Sequence, residues 1–338
     1  MKHALCKQGS GEEITMKHLA LVAALLVVSA THSLASEVTL RGVSCFPIGS
    51  PPSVPFEKMV EDINARGKGI VQIDLLGGAP AIGSPFQIAE RMALGAYDIA
   101  GCPESYFGNL VPEAPALRLH ELPYAELRKN GAIDLFQERM NAKGAYYVGR
   151  HHNDGKFHLF LRDPIEAPDL TGLNLRVSPN YTAFFKSLGA TVQRSSMPEV
   201  YTLMENGTVD GFGWALRGIS PSWYKVTGYR VDPGFYQAPL HTIANLARWN
   251  ALSDEARALI TEIVLEAEAR TEPDSSWTRD SDVAMKVTMQ ENGMDTVTFV
   301  GADAETWVDA AVSAAWAEFL ENNPDQGEKF KQLFTGAE

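Results

Sequence analysis

The sequence predicts an α/β protein built from two parallel-sheet lobes. Three observations carry that expectation. Residues 169–214 read strand, helix, strand, helix, strand. Residues 37–102 repeat that order without repeating the sequence. At 338 residues, the chain is long enough to build two lobes, each with its own buried core. Parallel βαβ sheets bind ligands beyond the carboxyl ends of their strands. Residues at those ends are therefore the first candidates for function.

In chain order, the first segment is a targeting signal. Met16-Lys17-His18 precedes the apolar run 19–28, and Ser33-Leu34-Ala35 supplies a small-x-small site, with cleavage expected after Ala35. The run is too short to span a bilayer, so export without stable membrane insertion is expected. Residues before Met16 read as an upstream extension. Cys6 leaves with the signal, and Cys45 and Cys102 remain, an even count in an oxidising compartment.

Residues 37–45 alternate as a strand. Ser53 is placed to cap a helix over 54–66, with Val54, Met59, Val60 and Ile63 on one face and Gly67 as its stop. A strand at 70–75, a short helix opened by Ser84-Pro85 and a strand at 96–102 complete the first unit. After proline-rich connecting structure over 103–129, a helix runs to about Lys143. Strands at 145–149 and 157–161 flank the polar stretch His151-His152-Asn153-Asp154, which reads as a loop. Adjacent histidines on a strand point to opposite faces, so that pair makes a poor metal site.

In the central unit, Leu173, Leu175 and Val177 alternate. Ala183, Phe184, Phe185 and Leu188 follow at helical spacing, and Gly189 stops that helix. Pro198 opens the next helix and Gly207 closes it. A strand over 208–212 leads into Gly213-Trp214. Another strand is expected at 242–247. From Asp254 to about Asn292 the pattern is helical, with Ser253 as cap and Pro273 forcing a kink or two abutting helices. A strand at 296–300, a helix at 306–322 and a last helix ending near Phe334 finish the chain.

Composition excludes some partners. The formal net charge is −13, which disfavours nucleic acid and anionic membranes, since both demand a basic surface. The loop Gly77-Gly78-x-x-x-x-Gly83 lacks the Lys-Ser/Thr of a phosphate-binding loop. No Gly-x-Ser-x-Gly, metal-spaced cluster or paired-carboxylate motif indicates an enzyme, and no metal or cofactor is expected.

These segments together resemble the DctP-type periplasmic solute-binding proteins of TRAP (tripartite ATP-independent periplasmic) transporters. The resemblance is carried by Val111-Pro112-Glu113, Leu122-Pro123-Tyr124, the run 168–177 ending in Leu175-Arg176-Val177, Leu188-Gly189-Ala190, Glu199-Val200-Tyr201, Gly207-Thr208-Val209-Asp210-Gly211 and Trp249-Asn250-Ala251-Leu252. It implies a two-lobed periplasmic-binding-protein fold, type II-like, with a long helix spanning both lobes. The expected divisions are lobe 1 over 36–156, lobe 2 over 157–246, and bracing helices over 247–338. It also implies a periplasmic monomer that closes on an organic acid and delivers it to membrane subunits.

The resemblance further implies that Arg176 grips the ligand carboxylate, a match of planar fork to planar anion. Many members carry a glutamate where Gly213 stands here, so the pocket is expected to be larger or Arg176 freed of a competing anion. The change fits a monocarboxylate, aromatic ones included, as well as a dicarboxylate. Trp214 and Phe46 follow strand ends and are the expected aromatic walls. Arg217, Asn245 and Tyr236 are further ligand candidates, with Tyr106 and His241 behind them. Two other readings stay open: a ligand-sensing partner of a membrane receptor, and an exported α/β enzyme. For Cys45 and Cys102, a disulfide between neighbouring strand ends and a pair of buried thiols also both stay open.

Overall fold

The computed structural model describes residues 37–337, together with Met1. The targeting segment and Cys6 lie outside the described residues. Strand β1 (Val38–Ser44) runs parallel to β2 (Val71–Gly78) on one side and to β3 (Ile99–Pro103) on the other. Helix α1 (Val54–Arg66) joins the first two and the short α2 (Ile88–Ala93) precedes the third. Phe56, Met59, Val60 and Ile63 bury one face of α1 against Leu40, Val71 and Ile73. Gly67 stops the helix because a Cβ there would come 2.4 Å from the Val71 carbonyl oxygen. Ser53 does not cap α1. Its hydroxyl donates instead to Ser44 Oγ at 3.0 Å, which ties the helix start to the end of β1.

The single helix expected before Lys143 is two, α3 (Tyr124–Lys129) and α4 (Ala132–Ala142), divided at Gly131, whose φ of 85° no helix accommodates. Strand β4 (Ala145–Leu161) is one 17-residue strand where two had been expected. His151, His152, Asn153 and Asp154 lie inside it and are buried. A polar stretch can stay extended there because partner strands satisfy its backbone, and three register shifts against one partner absorb the irregularity.

The second parallel unit contains β5 (Asn174–Val177), α5 (Thr182–Ser187), β6 (Thr191–Arg194), α6 (Val200–Glu205) and β7 (Gly211–Ala215), with β5 between β6 and β7. Strand β8 (Tyr229–Asp232) was not expected from sequence, and β9 (Gln237–Asn245) starts earlier than the expected 242. The sheet order is β2-β1-β3-β9-β4-β7-β5-β6. Two parallel triplets are thus joined through β9 and β4, which pair antiparallel with each other and with the triplets' edges. Position 156–157, expected as a lobe boundary, falls within β4.

After α7 (Leu246–Asn250), the expected forty-residue helix is two helices, α8 (Asp254–Arg270) and α9 (Ser276–Glu291), with Pro273 in the break. Ser253 caps α8 by accepting from the Ala256 amide, and Ser275 caps α9 by accepting from the Thr278 amide. Ile260, Ile263 and Val264 of α8 enter the core of the first triplet. Helix α9 attaches to the second triplet's side, where Lys286 meets Asp232 at 3.2 Å and Arg230 reaches Met289. The brace is therefore a pair of helices, one for each side. Strand β10 (Asp295–Thr298) runs parallel to β8. Helix α10 (Ala302–Asn322) packs Trp307 against Phe184 of α5, ring centroids 4.8 Å apart. The last helix, α11 (Gly327–Thr335), accepts a hydrogen bond from Asn130 at the Leu333 carbonyl, 2.7 Å.

Candidate functional site

The carboxyl ends of the two triplets face one another. β1 runs into Cys45 and Phe46, and β3 ends beside Cys102, with Tyr106 following. Cys45 and Cys102 form a disulfide, Cα atoms 5.0 Å apart. Register explains it: Ser44 pairs with Gly101, and the Cys45 amide donates to the Gly101 carbonyl at 2.9 Å. The bond stiffens the stem on which Phe46 stands.

Arg176 lies on β5 opposite Phe212 of β7 and is fully buried. Its Nε donates to Ser195 Oγ at 3.2 Å and its Nη2 to the Ser195 carbonyl, so Ser195 takes the side edge of the guanidinium. Nη1 donates to the Tyr181 hydroxyl at 3.2 Å. The guanidinium carbon stands 5.3 Å from the Trp214 ring centroid. Among the described residues, no carboxylate forms an ion pair with Arg176. A guanidinium has five donors, and these bonds leave part of the fork uncommitted. The Tyr106 hydroxyl, from the opposite triplet, feels the charge of Arg176. Burial pushes that hydroxyl up to about 12 against the opposing pull of Arg176, so it stays protonated.

Gly213 does not open space beside Arg176. A Cβ there would come 2.3 Å from Cε2 of Tyr181, so the tyrosine ring fills the volume.

A small cavity of about 30 Å³ lies between the two sets of strand ends. Phe46, Tyr106, Phe157, Trp214 and Leu240 give it apolar and aromatic walls, and Ser105, Asp154, Ser178 and Asn180 are its polar members. Phe46 meets Trp214 edge-on with centroids 6.4 Å apart. Trp214 is pinned by its Nε1 donating to the Gly218 carbonyl at 2.6 Å. Arg176 is not itself a lining residue, but its guanidinium stands against the ring of Trp214, which is. A wider groove of about 670 Å³ runs outward, and Ser105 and Asn180 line both spaces. Arg118, Lys186 and Arg194 line that groove against one acid, Glu318, and so leave it an excess of positive charge.

Of the sequence candidates, the structure brings Arg176, Gly213, Trp214, Phe46 and Tyr106 together. It places four others elsewhere. Asn245 donates to the Met92 and Ala93 carbonyls, both at 3.0 Å, and caps α7. Arg217 pairs with Asp282 of α9 and donates to the Asn153 carbonyl, which makes it a tie between helix and sheet. Tyr236 donates to the Ala311 carbonyl of α10 at 3.1 Å. His241 bonds the Tyr147 hydroxyl at 3.1 Å inside the core. Sequence reasoning missed Tyr181, Ser195, Asp154 and Asn180. Only Asp154 carried a signal, an acidic residue in a polar run. Among the described residues no cluster of His, Cys, Asp and Glu could hold a metal ion.

Comparison with known proteins agrees with this layout. Residues 48–323 match the family DctP, bacterial extracellular solute-binding protein, family 7. A solute-binding protein of Roseobacter denitrificans is 23% identical over 319 residues, 90% of this chain and 94% of that one. A TRAP periplasmic solute-binding protein from Desulfovibrio salexigens, solved with bound orotic acid, superposes with a TM-score of 0.76 at 18% identity, covering 88% of this chain and 97% of that one. Another from Roseobacter denitrificans, with bound β-D-glucuronate, gives 0.71 at 22% identity, covering 89% and 100%.

Proposed function

The chain belongs to the DctP family of bacterial extracellular solute-binding proteins, and we propose that it captures a small organic acid between its two strand triplets for a TRAP transporter. The observation that carries this reading is Arg176, a fully buried guanidinium without a carboxylate partner among the described residues, set beside a cavity at facing strand ends. A buried cation in that position favours an anionic partner, since low dielectric strengthens the pair and desolvation penalises a lone charge.

A cavity of about 30 Å³ holds little more than a water. Ligand uptake therefore requires the first triplet, with Phe46 and Tyr106, to part from the second, with Trp214 and Arg176. The cationic outer groove is the access route, and β4 and β9, which join the triplets, are where the chain flexes. The carboxylates named for the two solved neighbours, orotic acid and glucuronate, support an acid as the cargo. Residues 1–35 act as the export signal, and the mature chain works as a periplasmic monomer that hands its ligand to membrane subunits. It performs no chemistry on the ligand.

A thermal-shift screen over organic acids tests this, because a ligand that binds only the folded state raises the melting temperature. At least one carboxylate is expected to raise it by several degrees in wild type and not in Arg176→Ala. A flat response to every acid would reject the reading.

A further inference from the structure

We propose that the ligand is a monocarboxylate that carries hydrogen-bond donors, N–H above all, directed at Asp154, and that Asp154 sets this specificity. The inference rests on the reading above that the cleft takes an organic acid.

The polar groups of the cavity are unbalanced. No Lys, Arg or His lines it. Arg176 stands against Trp214 with Nε and Nη2 donating to Ser195 and Nη1 to Tyr181, so its remaining donors suffice for one carboxylate and not two. Asp154 and Asn180, each 4% exposed, bring a carboxylate and an amide to the wall. Oδ1 of Asp154 lies 3.2 Å from His152 Nε2, and Oδ2 makes no hydrogen bond among the described residues. Oδ1 of Asn180 is buried and has no partner. Asp154 Oδ2 and Trp214 Nε1 lie 2.9 and 3.0 Å from one point, the place of a Cβ on Gly218. The acceptor therefore sits beside the indole that Arg176 stands against, within reach of a small molecule lying along that ring.

A carboxylate on the cavity wall with an oxygen that no donor among the described residues holds calls for a ligand that supplies a donor, because closure leaves an unpaired acceptor at a cost. A second ligand carboxylate would meet Asp154 with no cation among the lining residues, and like charges in a closed site repel strongly. A sugar acid would present hydroxyls to Phe46, Phe157, Trp214 and Leu240, which cannot pair with them. A compact, flat acid with one or two donors suits both the apolar walls and Asp154.

Calorimetry on the purified protein tests this with matched probes. Pyroglutamate is paired with cyclopentanecarboxylate, and 4-aminobenzoate with 4-methylbenzoate; succinate and glucuronate complete the set. In at least one pair, the donor-bearing acid is expected to bind at least tenfold tighter than its partner and tighter than succinate and glucuronate. Asp154→Ala should reduce that ratio about tenfold, with the donor-free partner changed less than twofold. Asp154→Asn, close in shape, should reduce it at least threefold, and it serves if the alanine variant does not fold. Equal binding within both pairs, an unchanged ratio in the variants, or tightest binding of succinate or glucuronate would overturn the donor preference while leaving solute capture intact. Silence from every acid would overturn the proposed function and this inference with it.

Discussion

The ring of Tyr181 occupies the volume that a side chain at position 213 would need, and its hydroxyl joins the Gly213 carbonyl to Arg176. Glycine at 213 is thus a packing requirement of Tyr181. The tyrosine in turn orients the guanidinium without adding a negative charge.

Gly213→Ala should destabilise the fold by about 1–3 kcal/mol through overpacking. Urea denaturation measures this. Tyr181→Ala should remove most of the penalty, so a double-mutant cycle should show strong coupling between the two positions. Independent, additive effects would dissociate them.

Arg176→Ala should weaken carboxylate binding by about 2–5 kcal/mol, or tens- to thousands-fold. Arg176→Lys should fare little better, because an ammonium cannot hold Ser195 and Tyr181 while also gripping a planar anion. Calorimetry against the best acid from the thermal screen checks both, with circular dichroism to confirm folding.

Arg217 is expected to behave differently. It ties α9 to the sheet through Asp282. Arg217→Met should lower the unfolding midpoint in urea while keeping ligand affinity within about threefold, less than 1 kcal/mol. A large affinity loss with unchanged stability would place Arg217 back among the ligand contacts.

Titration of the denatured, unreduced protein should find no free thiol from Cys45 and Cys102. The bond closes a sequence separation of 57 residues. Chain entropy then predicts a loss of about 4 kcal/mol when both cysteines become alanine, provided the native geometry is unstrained. Differential denaturation of wild type and the double variant reads this out.

Acidification should destabilise the fold below about pH 6.5. Burial lowers His120 to about 4 and His151 to about 3, and it holds His241 well below the usual imidazole range, so each is held neutral in the folded chain and takes up a proton on unfolding. Stability from these groups is present above the unfolded value and lost as pH falls from 6.5 toward the folded values, about 2 kcal/mol per histidine at pH 5. Glu104 works the other way. Burial raises it to about 7 despite Arg118, so its protonation favours the folded state as pH falls from 7 toward 4.5. Three histidines outweigh one glutamate. Urea midpoints at pH 7 and pH 5 should therefore fall on acidification, and His151→Gln should shrink that difference.

The sequence by itself determined the two βαβαβ units, the parallel order within each and the position of Arg176 near a strand end. Local signals suffice for these. Alternating Leu175 and Val177, the helical spacing of Phe184 and Phe185, and the stops at Gly67 and Gly189 all act within a few residues. The Ser253 cap and the Pro273 break were legible for the same reason, as both follow from backbone hydrogen bonds of a single helix. The proximity of Cys45 to Cys102 followed from strand order, though only the register of Ser44 with Gly101 decided the bond.

Tertiary structure alone decided what surrounds Arg176. Ser195 comes from the turn after β6, Tyr181 from the turn after β5, and Tyr106 from the opposite triplet, and no pattern in the chain marks them as neighbours. His151 to Asp154 read as a loop because polarity is a local property. In the fold they are strand, because β9 pairs with this part of β4 on one side and the Arg217 amide meets the Asp154 carbonyl on the other, in place of water. The same cause moved Asn245, Arg217 and Tyr236 out of the site. Each found a carbonyl or carboxylate partner in a distant element, and such long-range pairing is set by packing and not by the neighbours of a residue in sequence.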